Sequence, residues 1–446
     1  MSSSSATLTR LIVVLTLATA LRVLLFPLSK SLELARRPEL SVPISSLFAL
    51  REASWLHSRW IAAGSSSHAH PYAGDNPVSP LLVYVLESFL GDEHKEIWLW
   101  ATVDLVAGLV LASCAAVRSR NSVKGMLQGS PALGPDVAAA LYLFSPYTIA
   151  SCLAKSASPL TNLLVLLSTL GALTGSRLLT TTALAGATLS SLTPILLAPP
   201  LLMLCAQRSP SARPILHASL TSLALLATLS GGLYASYHLS GSSWRFLERV
   251  YSPIILLPDL TPNIGLWWYF FIEIFDHFRN FFLLVFNVHL ASYTAPMTIK
   301  YSSDPLFAVT ALSGVISAFK SYPTMGDTSL FLALVALHVD LLPYLRYPTV
   351  SVLLYLYATL LLPTFHHLWL QAGSGNANFY YAITLVWGLA QGSLLLDLMW
   401  AWGRAAWERQ RPRISPAQAL ADEKIAMLRA KESLVPQKLV RDVIQI

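Results

Sequence analysis

The sequence predicts an all-α polytopic membrane protein with about twelve transmembrane helices. Three observations predict it. Of 446 residues, 54% are hydrophobic and only 12% are charged, whereas an ordinary soluble domain carries roughly 25% charged residues. Apolar runs recur along the chain, and about 20 such residues per helix cross the hydrocarbon. The basic residues gather between those runs and in the tail. The net charge of +7 therefore serves topology and contact with anionic headgroups, not nucleic-acid binding.

The first run, 8–28, reads as an uncleaved span. It is long for a signal peptide, carries Arg22 and precedes many further spans. Residues 29–77 form a lumenal loop. Within it, 44–63 sets Leu47, Leu50, Trp55, Leu56 and Trp60 near helical spacing, with Arg51, Glu52, His57 and Arg59 between them. That pattern is an interfacial amphipathic helix. Turn residues, SSSHAHPYAGDNPVSP, close the loop. Apolar segments follow at 80–90, 96–117, 136–153, 158–174, 178–206, 214–239, 264–291, 304–320, 328–342, 347–363 and 377–403. Short or proline-broken pieces line a protein interior, since lipid-facing backbone must satisfy its own hydrogen bonds; Pro194 and Pro199–Pro200 break 178–206.

Arg404, Arg409, Arg411 and Arg413 place the C-terminus in the cytosol and the loop 371–378 in the lumen. Residues 1–403 then form one membrane domain and 404–446 a cytosolic tail, where ALADEKIAMLRA has the spacing of a short surface helix. Arg118, Arg120 and Lys124 favour a second cytosolic loop. With a cytosolic N-terminus, that conflicts with two crossings between 78 and 117. Either the 80–90 piece is re-entrant or the basic loop departs from the rule. Cys114, Cys152 and Cys205 all lie in apolar text and read as buried free thiols.

Residues 267–289, WWYFFIEIFDHFRNFFLLVFNVH, read as one aromatic helix long enough to cross a bilayer. At about 100° per residue, Glu273, Asp276, His277, Asn280 and Asn287 share a face. Ionisable groups at membrane depth are costly. The carboxylates and His277 are therefore expected to pair with Arg279 or Lys320, or to dock a partner subunit. Four polar islands interrupt the apolar text: SPYTIASCLAKS, PDLTPNIGLWWYFF, FKSYPTMGD and AGSGNANFYYAIT. None has a nucleotide-binding, zinc or nucleophile-elbow pattern, so no catalytic residue, metal or cofactor is expected.

Taken together, the islands resemble the PIG-U family, a subunit of the glycosylphosphatidylinositol (GPI) transamidase. The PDLTPNIGL–WYFF–E–F–HF–FF–VF run is that family's most characteristic stretch; FKSYPT-GD, AGS-N-NF-YAIT and PYT-ASC-AKS follow its pattern. The tail after Arg413 has no counterpart. The resemblance implies a non-catalytic multi-pass subunit of the endoplasmic-reticulum membrane that binds and presents the GPI lipid. It further implies a membrane fold similar to the GT-C mannosyltransferases. Its implied partners are a PIG-K-like cysteine-protease subunit, which carries the catalysis, with PIG-T, PIG-S and GPAA-type subunits.

On that reading Ser374, Asn376, Asn378 and Phe379, at the lumenal mouth of the last span, contact the glycan or headgroup, with capping by asparagine compatible. Lys320 and Tyr322 contact phosphate or inositol, or Lys320 snorkels to the interface. Glu273, Asp276, His277, Arg279 and Asn280 form the docking face. The alternative is an active lumenal mannosyltransferase using a polyprenyl-phosphate sugar. It would need an acid or acid pair in its first loop, where Glu33, Glu39, Glu52 and Asp75 are scattered. A transporter would show internal repeats, and none is visible.

Overall fold

The computed structural model describes residues 2–64, 70–123, 133–209, 213–410 and Met427. Among them every regular element is helical. Six helical stretches are long and apolar enough to cross a membrane: Ala6–Ser31, Glu93–Arg120, Ile215–Leu239, Asp276–Lys300, Pro348–Leu370 and Ala377–Arg409. Pro135–Leu143 and Pro146–Leu153, bent by 55° at Ser145, make a seventh if counted as one span. The expected tail helix lies, Met427 aside, outside the described residues.

The short helices form the interior. Pro305–Phe319 is buried on every side from Pro305 to Ala318, as a helix apolar all round must be. Met325–Ala336, Ala198–Arg208 and the last helix, from Ala377, pack around it. The run 178–206 is broken where expected. Arg177–Ser191 ends at Leu192, whose φ is 43°, and Ala198–Arg208 restarts with its two prolines in the first turn, where the missing N–H groups cost nothing.

The two ends of the bundle are tied by different charges. Lys30 reaches Glu93 at 2.6 Å, and Arg249 reaches Asp75 at 2.7 Å. At the other end Arg118 and Arg409 both bond Asp340, at 3.1 and 3.2 Å, and Arg10 lies 3.9 Å from Asp136. The first span and Glu93–Val123 run antiparallel, since Arg22 meets Asp104 where Lys30 meets Glu93. Pro80–Leu86 is a helix of only seven residues, too short by itself to cross the hydrocarbon. Arg118, the start of the first span and the last helix's end share one end of the bundle.

The loop after the first span carries the expected helix, Leu47–Ala62, with the Ser46 side chain accepting from Ala49 N–H at 3.0 Å. Its buried stripe is Leu47, Leu50, Ala53, Ser54, His57 and Trp60. Trp55, expected on that stripe, points outward with Arg59 over its ring.

Candidate functional site

The stretch 267–289 is not one helix. Trp267–Glu273 ends there, Ile274 and Phe275 are extended, and Asp276–Ser292 restarts. The two pieces fold back on each other: the rings of Trp267 and Phe286 lie 5.1 Å apart, as do those of Phe270 and Phe282. In a continuous helix, 19 residues would separate the first pair by roughly 28 Å. Aromatic packing across the break outweighs the lost turn of helix.

This break changes the meaning of the polar residues. Asp276 begins a candidate span, so Asp276, His277 and Asn280 occupy its first turns and not its middle. The Asp276 carboxylate complements the helix N-terminus. Neither expected partner is used. Arg279 donates to the Leu257 carbonyl at 2.6 Å and lies over Phe271. Lys320 pairs with Asp327 at 2.6 Å. Glu273, Asp276, His277 and Asn280 remain exposed, flanked by the exposed rings of Phe275, Phe278 and Phe281.

The short helix Trp267–Glu273 is where the islands meet. Trp267 donates from Nε1 to the Phe319 carbonyl at 2.8 Å. Trp268, fully buried, stacks on Trp369 and packs against Tyr380 and Tyr381. Tyr269 stacks on Tyr381 and donates to Asn378 Oδ1, while Tyr381 donates to the Leu266 carbonyl at 3.1 Å. Gly265 sits so close to Pro323 that an added Cβ would approach its Cδ to 2.6 Å, and one on Gly326 would approach Ser158 Cβ to 2.5 Å. Ser158 and Thr324 share a hydrogen bond at 2.9 Å. Four islands spread over some 240 residues of sequence share one buried cluster, through Tyr147, Ala154, Ile264, Trp268, Met325 and Tyr380.

The predicted binding residues divide. Asn376 accepts from the Phe379 N–H at 3.2 Å and caps the last helix. Asn378 is held by Tyr269. Both asparagines, Ser374 and Phe379 are exposed, and the Phe379 ring lies parallel to Phe365. Lys320 does not snorkel: it is buried, and its partner Asp327 accepts from the Thr324 N–H at 2.8 Å, closing a helix cap. Tyr322, also buried, donates to the Asp259 carbonyl at 2.7 Å and fixes the PDLTP turn. Its ring borders a cavity of about 770 Å³ beside that turn, also lined by Glu52, Asp75, Glu248, Asp259 and Arg249. The four first-loop acids do not assemble: Glu52 and Asp75 line this cavity, Glu33 lines another, and Glu39 is buried elsewhere.

Sequence reading missed several residues. Glu96, with no side-chain exposure, accepts from Arg51 and Lys155. Asp104 is the partner of Arg22. Each acid sits inside or at the edge of an apolar run, and that is the signal that could have found it. Glu39 is 3% exposed; its carbonyl accepts from Met325 N–H, and its Oε1 has no protein partner. Burial pushes its carboxyl up to about 7, against the opposing pull of its own backbone and Arg37.

A group whose folded pKa is raised stabilises below its unfolded pKa and loses that contribution as pH rises through the folded value. Stability of the purified protein is therefore expected to fall by about 2–3 kcal/mol between pH 5 and pH 8 through this residue. Glu39→Gln should flatten that part of the profile and raise the thermal transition at pH 8. An unchanged slope in the variant would show that Glu39 does not titrate there.

Comparison with known proteins agrees with this unit. The family model of the GPI transamidase subunit PIG-U matches residues 16–387. The GPI transamidase component GAB1 of Saccharomyces cerevisiae is 36% identical over 390 residues, 87% of this chain and 92% of that protein. The GPI-anchor transamidase component PIGU of Mus musculus is 34% identical over 418 residues, 88% of this chain and 94% of that protein. Its Homo sapiens namesake is 34% identical over 419 residues, with the same coverage. The matched span contains all four islands and the broken aromatic helix that joins them, and the chain belongs to the PIG-U family.

Proposed function

We propose that this protein is a non-catalytic, multi-pass subunit of a GPI transamidase in the endoplasmic-reticulum membrane, binding and presenting the GPI lipid while scaffolding other subunits. The observation that carries this reading is the packed unit of islands, which puts two kinds of exposed surface at its edge. One is the loop with Ser374, Asn376 and Asn378 beside Phe379, where amide groups adjoin a ring face. Amides offer donors and acceptors for sugar hydroxyls. The other is Glu273, Asp276, His277 and Asn280 among exposed phenylalanines, a polar patch suited to a partner subunit. Arg279, Lys320 and Tyr322 hold the unit together from within.

Catalysis then resides in a cysteine-protease-like partner of the PIG-K kind, with PIG-T, PIG-S and GPAA-type subunits completing the complex. The three cysteines of this chain are buried, which supports a non-catalytic role. The C-terminus lies in the cytosol with Arg118, Arg404 and Arg409 at one end of the bundle. About twelve segments traverse the membrane in a GT-C-like arrangement when the short buried helices are counted.

Two variant sets separate the roles. In cells lacking the endogenous subunit, Asn376→Ala is expected to keep the complex intact but lower GPI-anchored protein display. Glu273→Ala with His277→Ala is expected to release partner subunits in mild-detergent pull-down. The opposite pattern would exchange the two assignments, and accumulation of a mannose-deficient GPI in the null cell would favour the mannosyltransferase.

A further inference from the structure

A cavity of about 360 Å³ lies at the loop end of the first span, away from the packed islands' exposed edge. Phe26, Ser29 and Lys30 reach it from one face of that helix, at the i, i+3 and i+4 positions that share a side. Leu47, Phe48 and Arg51 enter from the loop helix, and Lys155 from the turn after Pro146–Leu153. Phe26, Leu47, Phe48 and Leu153 make its wall apolar. Phe26 to Lys30 are the end of the candidate span Ala6–Ser31, so the cavity stands at the depth of lipid headgroups.

Its charges do not cancel. Lys30, Arg36, Arg51 and Lys155 line it, against Glu33 and Glu93. Glu96, directly behind, takes Arg51 through a fork of 2.8 and 2.6 Å and Lys155 at 2.8 Å. Four cations thus face three carboxylates, leaving one positive charge. Two of the cations share a single carboxylate and keep donor capacity. Lys155 is buried and has φ of 54°, a conformation that costs a non-glycine residue free energy and persists only where surrounding structure imposes it. The ammonium is held at the cavity wall by the Glu96 carboxylate.

We propose that this cavity binds the phosphodiester headgroup of an anionic phospholipid, whose single negative charge balances the excess. Arg51 and Lys155 address the phosphate from the deep side, Lys30 and Arg36 from the rim. The apolar wall takes the first carbons of the lipid. The site is separate from the glycan loop and does not depend on the GPI reading.

The test uses full-length protein in neutral detergent, titrated with phosphatidylglycerol, phosphatidylcholine or inorganic phosphate and read by native mass spectrometry. Phosphatidylglycerol is expected to bind at least about tenfold tighter than phosphatidylcholine, in a salt-sensitive manner. Lys155→Gln should weaken phosphatidylglycerol roughly tenfold, and Lys30→Gln/Arg36→Gln, both at exposed positions, roughly threefold. The rim variant keeps the test meaningful if Lys155→Gln lowers the thermal transition. Equal binding of the two lipids, or unchanged phosphatidylglycerol binding in both variants, would overturn the proposal. Displacement of the lipid by equimolar inorganic phosphate would reassign the site to a soluble anion and overturn it as well.

Discussion

Arg22→Met is expected to destabilise the protein by about 3–5 kcal/mol, because it strands a buried carboxylate. Arg22 and Asp104 both have no side-chain exposure. The guanidinium donates to Asp104 at 2.6 Å, to the Ala18 carbonyl at 3.1 Å and to the Leu143 carbonyl at 3.0 Å. One side chain thus ties the first span, the Glu93–Val123 helix and the bent pair. Removing it leaves Asp104 in a low-dielectric interior without its counter-ion. The double variant Arg22→Met/Asp104→Leu removes both charges and is expected to recover most of the loss, since replacing a buried pair by packed apolar groups is often neutral. Thermal unfolding in detergent reads this directly. A single variant costing less than about 1 kcal/mol, the range of a surface pair, would mean that water reaches Asp104.

Glu96→Gln is expected to cost a similar amount, about 3–5 kcal/mol. Oε1 accepts from Arg51 and from the Gly91 N–H at 3.1 Å, while Oε2 accepts from Arg51 and Lys155. An amide keeps one acceptor oxygen and sets an NH₂ group against the cations. It also leaves Arg51 and Lys155 as neighbouring like charges. The effect should shrink when Arg51 is also changed to Gln, giving a coupling of about 1–3 kcal/mol in a double-mutant cycle. Additive single effects would place Arg51 outside the network. The same carboxylate sets the charge of the proposed phospholipid cavity, so a stability cycle and lipid titration on these variants test two properties of one cluster.

Much of the fold was legible because membrane solvation acts on composition and on local periodicity. The first span, the Leu47–Ala62 helix, the break before Pro194 and the burial of all three cysteines follow from residues near in sequence. So did the importance of the four islands. Their mutual contact was not legible, because Gly265 against Pro323 and Ser158 against Gly326 join positions that no local pattern relates. The surroundings of the candidate residues were half legible. Asn376 and Asn378 stand exposed at a helix start, whereas Lys320 and Tyr322 are interior fasteners whose partners, Asp327 and the Asp259 carbonyl, only folding brings within reach.

By itself the sequence determined the membrane class and the family, because these depend on hydropathy and unbroken motifs. Tertiary structure alone decided what the 267–289 stretch is. Helical periodicity placed its acids on one face at membrane depth, since it assumes that every residue continues the helix. Packing of Trp267 and Phe270 on Phe282 and Phe286 requires a reversal at Ile274 and Phe275. That reversal carries Asp276, His277 and Asn280 to the start of a span. It also presents Tyr269 to Asn378. The energy of ring contacts twelve to nineteen residues apart is a property of the folded chain, invisible to any rule that reads one turn at a time.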